Sequence, residues 1–475
     1  MISPILIFVL AIGFLLLAIL YLELHPFLAL LLTGLLVGVA QGLPPPESLD
    51  ILFGGFADTL RWISIVMILG TVTGEILAET GGALRLSETI LRWVGRTRLP
   101  WAMALTGYVV AIPVFVDVAY IMLRPVTESL ARQSLRPVVQ VGLSLTAGLT
   151  ATHALIPPTP GPLAVASILN ADLGKVILLN AGVALFATVG GVLFAVYGTS
   201  RTRRDHWEEG VASPGSASSV STAAASTAAA STAAASTAAA STAAVSTAAS
   251  PPSSTTQSWT TFWSFAAVLV PLVLIAGSSF LKQDAHGALT TLAFLGQPTI
   301  ALTLGMVLAA QLLARPGRKQ QLNRLVGRGI EQAAIIIFIT GAGGALGRIL
   351  IESDIAESVG AVVQSWQGIG PLLPFLLALL LTTATGSLTV SMVTSSSIVL
   401  PLLPQLGLPA EWAAAAIGAG SLGIIHANSS FFWLFGRMHR VATPQLYRTL
   451  VLQSATMALS AGVGVLSLWI LYNAL

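Results

Sequence analysis

The 475-residue chain contains no cysteine, and only 9% of its residues are charged. The first absence excludes disulfides, thiolate metal sites and thiol nucleophiles, and leaves the redox compartment open. The second is more restrictive, because soluble domains carry about 25% charged residues. Hydrophobic residues make up 55% of the chain, more than one water-soluble core would hide. The bilayer is therefore the expected solvent. Phosphate-binding loops ending in Gly-Lys-Ser or Gly-Lys-Thr are missing, as is His-Glu-x-x-His, which removes the sequence basis for ATP-driven pumping and zinc proteolysis. The run Gly341-Ala-Gly343-Gly344-Ala-Leu-Gly347 has no βαβ pattern around it, so it reads as close helix packing rather than a dinucleotide loop. No cofactor and no metal is expected. The pI near 9.4 does not call for a nucleic-acid partner, since the cationic residues flank hydrophobic spans, where they set orientation.

What is present is a series of long apolar runs without strand-like alternation, which selects helices over a barrel. They lie near residues 4–22, 26–43, 62–78, 138–157, 174–198, 262–281, 290–314, 330–351, 412–436 and 449–473, which makes ten candidate spans. The first is read as a retained helix rather than a cleaved signal. Two further stretches, 101–126 and 371–404, carry central Pro, Gly, Asp, Thr or Ser residues and are read as re-entrant hairpins. With both termini outside, the loops at 79–100, 129–137, 200–258, 315–329 and 437–448 are cytoplasmic, and they hold most of the arginines. Arg61, Lys175, Lys282 and Arg348 are left outside. The expected fold is thus an all-α polytopic membrane protein, an inverted repeat of five spans plus one re-entrant hairpin per half, with broken helices at the midplane. Residues 1–199 form the N-terminal membrane repeat, 200–258 a low-complexity cytoplasmic linker of Ser-Thr-Ala repeats, and 259–475 the C-terminal membrane repeat.

The most specific segment runs from His153 to Pro162, where four prolines and a glycine fall within six residues of a spanning run. A continuous helix cannot survive there. Broken backbone at membrane depth offers positive helix N-termini to an anion and free carbonyls to a cation, and it is tolerated only inside protein or beside a water-filled cavity. His153, Thr159 and Gly161 are the candidate substrate-binding residues here. The matching segment of the second half, Gly423-Ile-Ile-His426-Ala-Asn428-Ser429-Ser430, supplies His426, Asn428 and Ser429, with helix–helix hydrogen bonding as the plainer reading. The second hairpin supplies Gly386, Ser387 and Thr389, whose hydroxyls equally suit helix packing. Asp117, in the first hairpin, is a costly intramembrane carboxylate and a candidate for proton coupling together with His153 and His426; a buried ion pair is its alternative.

Glu79-Thr-Gly-Gly-Ala, His153 through Pro162 followed by Leu169-Asn-Ala-Asp-Leu-Gly-Lys175, Gly386-Ser-Leu-Thr389-Val and His426-Ala-Asn428 with Phe432-Trp-Leu together resemble the gluconate permease family, across nearly the whole chain except the linker. The resemblance implies proton-coupled uptake of gluconate or a related sugar acid or hydroxy acid, a homodimer, elevator-like movement, and a multi-pass place in the cell inner membrane. It implies no enzymatic activity. Family members carry Glu at the position of Asp117, His at Thr159, Arg at Thr382 and Asp at Ser429, so three ionisable groups are replaced here. Alternatives are a sodium-coupled organic anion symporter or a cation/proton antiporter of the same fold, since hydroxyls and unwound carbonyls also suit sodium, and more remotely an intramembrane enzyme.

Overall fold

The computed structural model describes residues 3–198, 254–281, 288–314, 316–353, 355, 358, 370–427 and 429–474. All regular structure among them is helical. The linker expected at 200–258 lies outside the described residues except for its last five positions, which begin a helix. The first half contains α1 (Pro4–Leu20), α2 (Pro26–Ala40), α3 (Pro45–Glu79), α4 (Gly82–Val94), α5 (Leu99–Val110), α6 (Val116–Gln133), α7 (Val138–Leu155), α8 (Pro160–Ile168) and α9 (Leu173–Leu193). The second contains α10 (Ser254–Ser278), α11 (Ala288–Leu295), α12 (Pro298–Ala309), α13 (Arg318–Glu352), α14 (Leu372–Thr385), α15 (Leu388–Val399), α16 (Ala410–Ser421), α17 (Ser430–His439) and α18 (Leu452–Ala474). Proline opens α1, α2, α3, α8 and α12, where its missing N–H would have had no intrahelical partner.

The order of elements recurs. A 35-residue helix, α3 or α13, precedes a helix–break–helix pair, α5/α6 or α14/α15. A second broken pair follows, α7/α8 or α16/α17, and then a long closing helix, α9 or α18. The two 35-residue helices pack antiparallel along their length. A methyl added at Gly55 would lie 3.0 Å from the Ala345 Cα, and one at Gly329 would lie 3.0 Å from the Val72 backbone nitrogen. Arg328 reaches Glu79 at 3.2 Å near one end, joined there by Arg324, and Arg348 reaches Asp58 at 2.7 Å near the other.

Six described helical segments are long and apolar enough to cross a bilayer, and Pro45–Glu79 is a seventh when its two limbs are taken as one span. The ten apolar runs do not all become uninterrupted crossings, because α2, at 15 residues, is about 22 Å long against a hydrocarbon core of about 30 Å. The run at 412–436 divides into α16 and α17, and that at 290–314 into α11 and α12. Helices α3 and α13 start far before the apolar runs at 62 and 330, and the segment 79–100 contains α4 rather than only loop. Charge obscured α4 in the sequence: Glu88 and Arg92 lie on its exposed side while Ala83, Leu86 and Ile90 are buried.

Each break in the second broken pair is tied off by the closing helix. Asn180 of α9 donates from Nδ2 to the Leu155 carbonyl at 2.8 Å, satisfying the end of α7. Ser454 of α18 accepts from the Ile425 amide at 2.9 Å, in the unwound stretch between α16 and α17. Both side chains are buried. Replacing Asn180 by Leu keeps the volume and orphans that carbonyl, a cost of about 1–3 kcal/mol. The Asn180→Leu protein is expected to melt at a lower temperature in detergent than the wild type, whereas Asn473→Leu, at an exposed intrahelical bond, should not; equal melting temperatures would show that the tie is dispensable.

Candidate functional site

Three of the four breaks open onto one cavity of about 620 Å³. Its wall takes Phe115, Val116 and Asp117 from the start of α6, Ser387 to Val390 from the start of α15, and Ser429 to Phe431 from the start of α17. The chain stops being helical there for local reasons. Pro113 disfavours helical backbone in the residue before it and so ends α5. Gly386, at φ +69°, takes the left-handed position that closes α14. The Ser387 hydroxyl caps α15 by accepting from the Val390 amide at 3.4 Å. At the other two starts, the capping residues Phe115 and Ser429 give no side-chain hydrogen bond, so first-turn amides are left for a ligand.

The cavity is polar on one side and greasy on the other. Thr150 and His153 of α7, together with Thr385 and the serines and threonines at the two later helix starts, supply its hydrogen-bonding groups. Ile335, Ile336 and Ile339 of α13 face them, with Ile19, Leu24 and Pro26 from the first two helices and the loop between them. No lysine or arginine lines it; its ionisable groups are Asp117, His153, Glu23 and His25. His153 packs its ring beside Phe115, with centroids 5.8 Å apart, and its buried Nδ1 has no hydrogen-bond partner. Among the described residues no group of three or more acidic or histidine side chains is placed to hold a metal ion.

Of the residues singled out in the sequence, the structure brings Asp117, His153, Gly386, Ser387, Thr389 and Ser429 onto this wall. Thr159, Gly161 and His426 are not on it. Thr159 is buried and donates to the Ile156 carbonyl at 2.6 Å, closing the turn before α8. Gly161 lets α8 approach α15, since an added methyl would lie 2.6 Å from the Met392 sulfur. His426 pairs through Nε2 with the Thr383 carbonyl at 2.6 Å, which fastens the unwound stretch to α14. Asn428 lies outside the described residues. Sequence reasoning missed Thr150, Thr385, Phe115 and the pair Glu23 and His25. Thr150 was recoverable, being three residues before His153 and so on the same helix face. Glu23 and His25 carry no local signal of their destination.

Comparison with known proteins follows the same lines. The profile of GntP family permeases matches residues 3–235 and 219–473. An uncharacterized permease of Haemophilus influenzae is 30% identical over 93% of this chain and 87% of its own. A gluconate permease of Pseudomonas aeruginosa is 29% identical over 90% of this chain and 89% of its own. The Gnt-II system L-idonate transporter of Escherichia coli is 26% identical over 98% and 99%. Among solved structures, the YdaH transporter of Alcanivorax borkumensis superposes with a TM-score of 0.61 at 16% identity, covering 95% of this chain and 99% of that one, which is a likeness of fold.

The cysteine-free background makes the cavity directly testable. Single cysteines at Ser387, Thr389 or Ser430, all on the cavity wall and not buried, are expected to react with a small charged thiol reagent, and one at buried Thr159 at least about tenfold more slowly, because thiol reactivity follows exposure. Equal rates at the four positions would sink the assignment of the wall.

Proposed function

Because this chain belongs to the GntP permease family, we propose that the transporter is a secondary active symporter that imports gluconate or a related small sugar acid or hydroxy acid together with protons. The carrying observation is the convergence of the N-termini of three broken helices, with Asp117 in the first turn of one of them, on a cavity without lysine or arginine. Each helix start presents roughly half a positive charge and unpaired amides, so the substrate carboxylate is held by backbone rather than by a cationic side chain. The hydroxyls of Thr150, Thr385, Thr389 and the serines would receive the hydroxyl groups of a sugar acid. Relatives named as gluconate and L-idonate transporters support that substrate class.

Asp117 supplies the logic of coupling. It sits in the first turn of α6, where its ionised form occupies the positive helix end that the substrate needs. Two like charges about 5 Å apart repel by about 3 kcal/mol at an effective dielectric constant of about 20, enough to weaken binding more than a hundredfold. Protonating Asp117 removes that repulsion, so proton and substrate load together. The resemblance to the wider transporter group further supports a homodimer in the inner membrane, with both termini outside, in which the site-bearing helices move against α3 and α13.

The test is uptake of labelled sugar acids, hydroxy acids and dicarboxylates into proteoliposomes under an inward proton gradient. Saturable accumulation abolished by an uncoupler is expected. Asp117→Asn, an isostere of the neutral acid, should lose accumulation while equilibrium exchange persists. Accumulation that requires a sodium gradient and ignores the proton gradient would instead select the sodium symporter.

A further inference from the structure

One side of the cavity is lined by side chains that have nothing to offer a charge or a hydroxyl. Ile335, Ile336 and Ile339 of α13 share one helix face there, and Ile19, Leu24 and Pro26, from the first two helices and their turn, extend it. The packing of α13 on α15 explains how these isoleucines come to stand opposite the helix start that carries Ser387. Gly343 and Gly347 bring the two helices close: a methyl added at Gly343 would lie 2.9 Å from the Ser397 hydroxyl, and one at Gly347 would lie 3.2 Å from the Leu400 side chain. Residue numbers rise together along this contact, so the two helices run parallel. Going back by about two turns on each leads to Ile339 and Ile336 on α13 and to Thr389, Leu388 and Ser387 on α15, and these residues line the cavity together. The cavity begins where the glycines end.

A fully hydroxylated chain suits only half of such a space. Its carboxylate and nearest hydroxyls meet the helix starts and the threonines, but a hydroxyl turned toward α13 meets isoleucine and gives up water without gaining a hydrogen bond. Among the described residues, the polar side chains on that side are Glu23 and His25, both exposed in the turn between α1 and α2. His25 already accepts the Phe27 amide at its Nδ1, at 3.3 Å. An alkyl or aryl tail gains on the same surface, since each CH2 removed from water strengthens binding about fourfold. The volume agrees, because 620 Å³ lies within the range of about 300–1,000 Å³ that accepts drug-sized ligands, and it leaves room beside a carboxylate and one hydroxyl.

We propose that the preferred substrate is a hydroxy acid with an apolar tail, that is, a carboxylate and an α-hydroxyl on an aliphatic or aromatic chain, and that Ile335, Ile336 and Ile339 are the residues that select it. The inference rests on the reading of the cavity as a carboxylate site and narrows its substrate class. The carboxylate lies at the uncapped starts of α6 and α17, the α-hydroxyl pairs with the side of the cavity formed by Thr150, Thr385 and Thr389, and the tail lies along the isoleucines. Selectivity is then a difference between two affinities. The hydroxyl-lined side requires the acid, and the isoleucine side weakens binding of a polyol by up to about a hundredfold for a hydroxyl carried onto an apolar surface.

The discriminating comparison is gluconate against α-hydroxycaproate, which has the same carbon chain and α-hydroxyl without the outer hydroxyls. Affinities are read from the ligand-dependent rise in melting temperature of the purified full-length protein, which needs neither transport nor a proton gradient. Along the series lactate, α-hydroxybutyrate, α-hydroxyvalerate and α-hydroxycaproate, binding is expected to tighten about fourfold per step and roughly fiftyfold in all. α-Hydroxycaproate is expected to bind at least about tenfold tighter than gluconate, the scale of a hydroxyl placed on an apolar wall. In Ile335→Thr and Ile336→Thr, the ratio of α-hydroxycaproate to lactate affinity is expected to fall by about fourfold or more, about one methylene of lost contact. That ratio is taken within one protein, so it does not depend on how much of a variant folds, and the wild-type series stands without the variants. A flat series, which is also the result if a lipid chain covers the isoleucines, refutes the proposal and leaves the anion site in place. So does tighter binding of gluconate, or an unchanged ratio in both variants. The diol made by replacing the carboxylate of α-hydroxycaproate with CH2OH should not bind; a diol as tight as the acid would show mere partition of an apolar molecule and refute it equally. If folded wild-type protein binds none of the acids, gluconate included, the carboxylate reading falls and the inference falls with it.

Discussion

The structure depends on one constraint: lipid offers no hydrogen-bond partner, so a helix that stops inside the membrane must have its freed backbone groups met by protein or by a ligand. Four breaks occur, and each is handled in one of these two ways. At the second broken pair of each half, dedicated side chains take freed backbone groups, as Asn180 takes the Leu155 carbonyl and Ser454 the Ile425 amide. At Phe115 and Ser429 no side chain does so. On the proposed function, those two starts are where a substrate anion would complete the backbone, so the fold's structural demand and its binding site would be one feature.

No arginine lines the cavity, and on the proposed function that changes how it would hold an anion. In place of one guanidinium, three helix ends each bring about half a unit of positive charge, a comparable total spread over a wider surface. Spread charge holds an anion without fixing the two-pronged geometry that arginine imposes. It is also more easily cancelled, since a single ionised carboxylate in the first turn of one helix offsets most of it. Asp117 occupies such a position. On the proposed function, a strong cationic clamp would dull that switch.

How much of this could be read from the sequence follows from the distance over which each signal acts. The breaks were legible because Pro157, Pro158, Pro160 and Pro162 forbid a helix locally, and Gly386 next to Ser387 is a local stop and start. The paired histidine segments at His153 and His426 fall at corresponding places in the order of helices, at α7/α8 and α16/α17. The lengths of α3 and α13 were not, since their polar ends look like loop when only apolar runs are counted and are held instead by ion pairs between residues far apart, such as Arg348 with Asp58. Of the candidate residues, those at the helix starts of α6, α15 and α17 lie on the cavity wall, whereas the His426 ring pairs with the Thr383 carbonyl. The Tyr120 hydroxyl meets Nε2 of His439 at 2.6 Å although the two are separated by 319 positions, and nothing near either one announces the other.

The fourth break shows why a buried polar residue need not belong to the site. Thr159 stands at the start of α8, the one helix start that does not reach the cavity, and its hydroxyl turns back to the Ile156 carbonyl. Behind the second hairpin, Thr382 is 1% exposed and its hydroxyl has no partner, although the left-handed Gly423 lies against it, an added methyl there meeting its Cβ at 2.8 Å. Gly161 lets α8 close against α15, and Gly423 lets the unwound stretch settle onto α14 at Thr382. The polar groups on the cavity wall are the hydroxyls and the helix ends, together with Asp117, Glu23, His25 and His153.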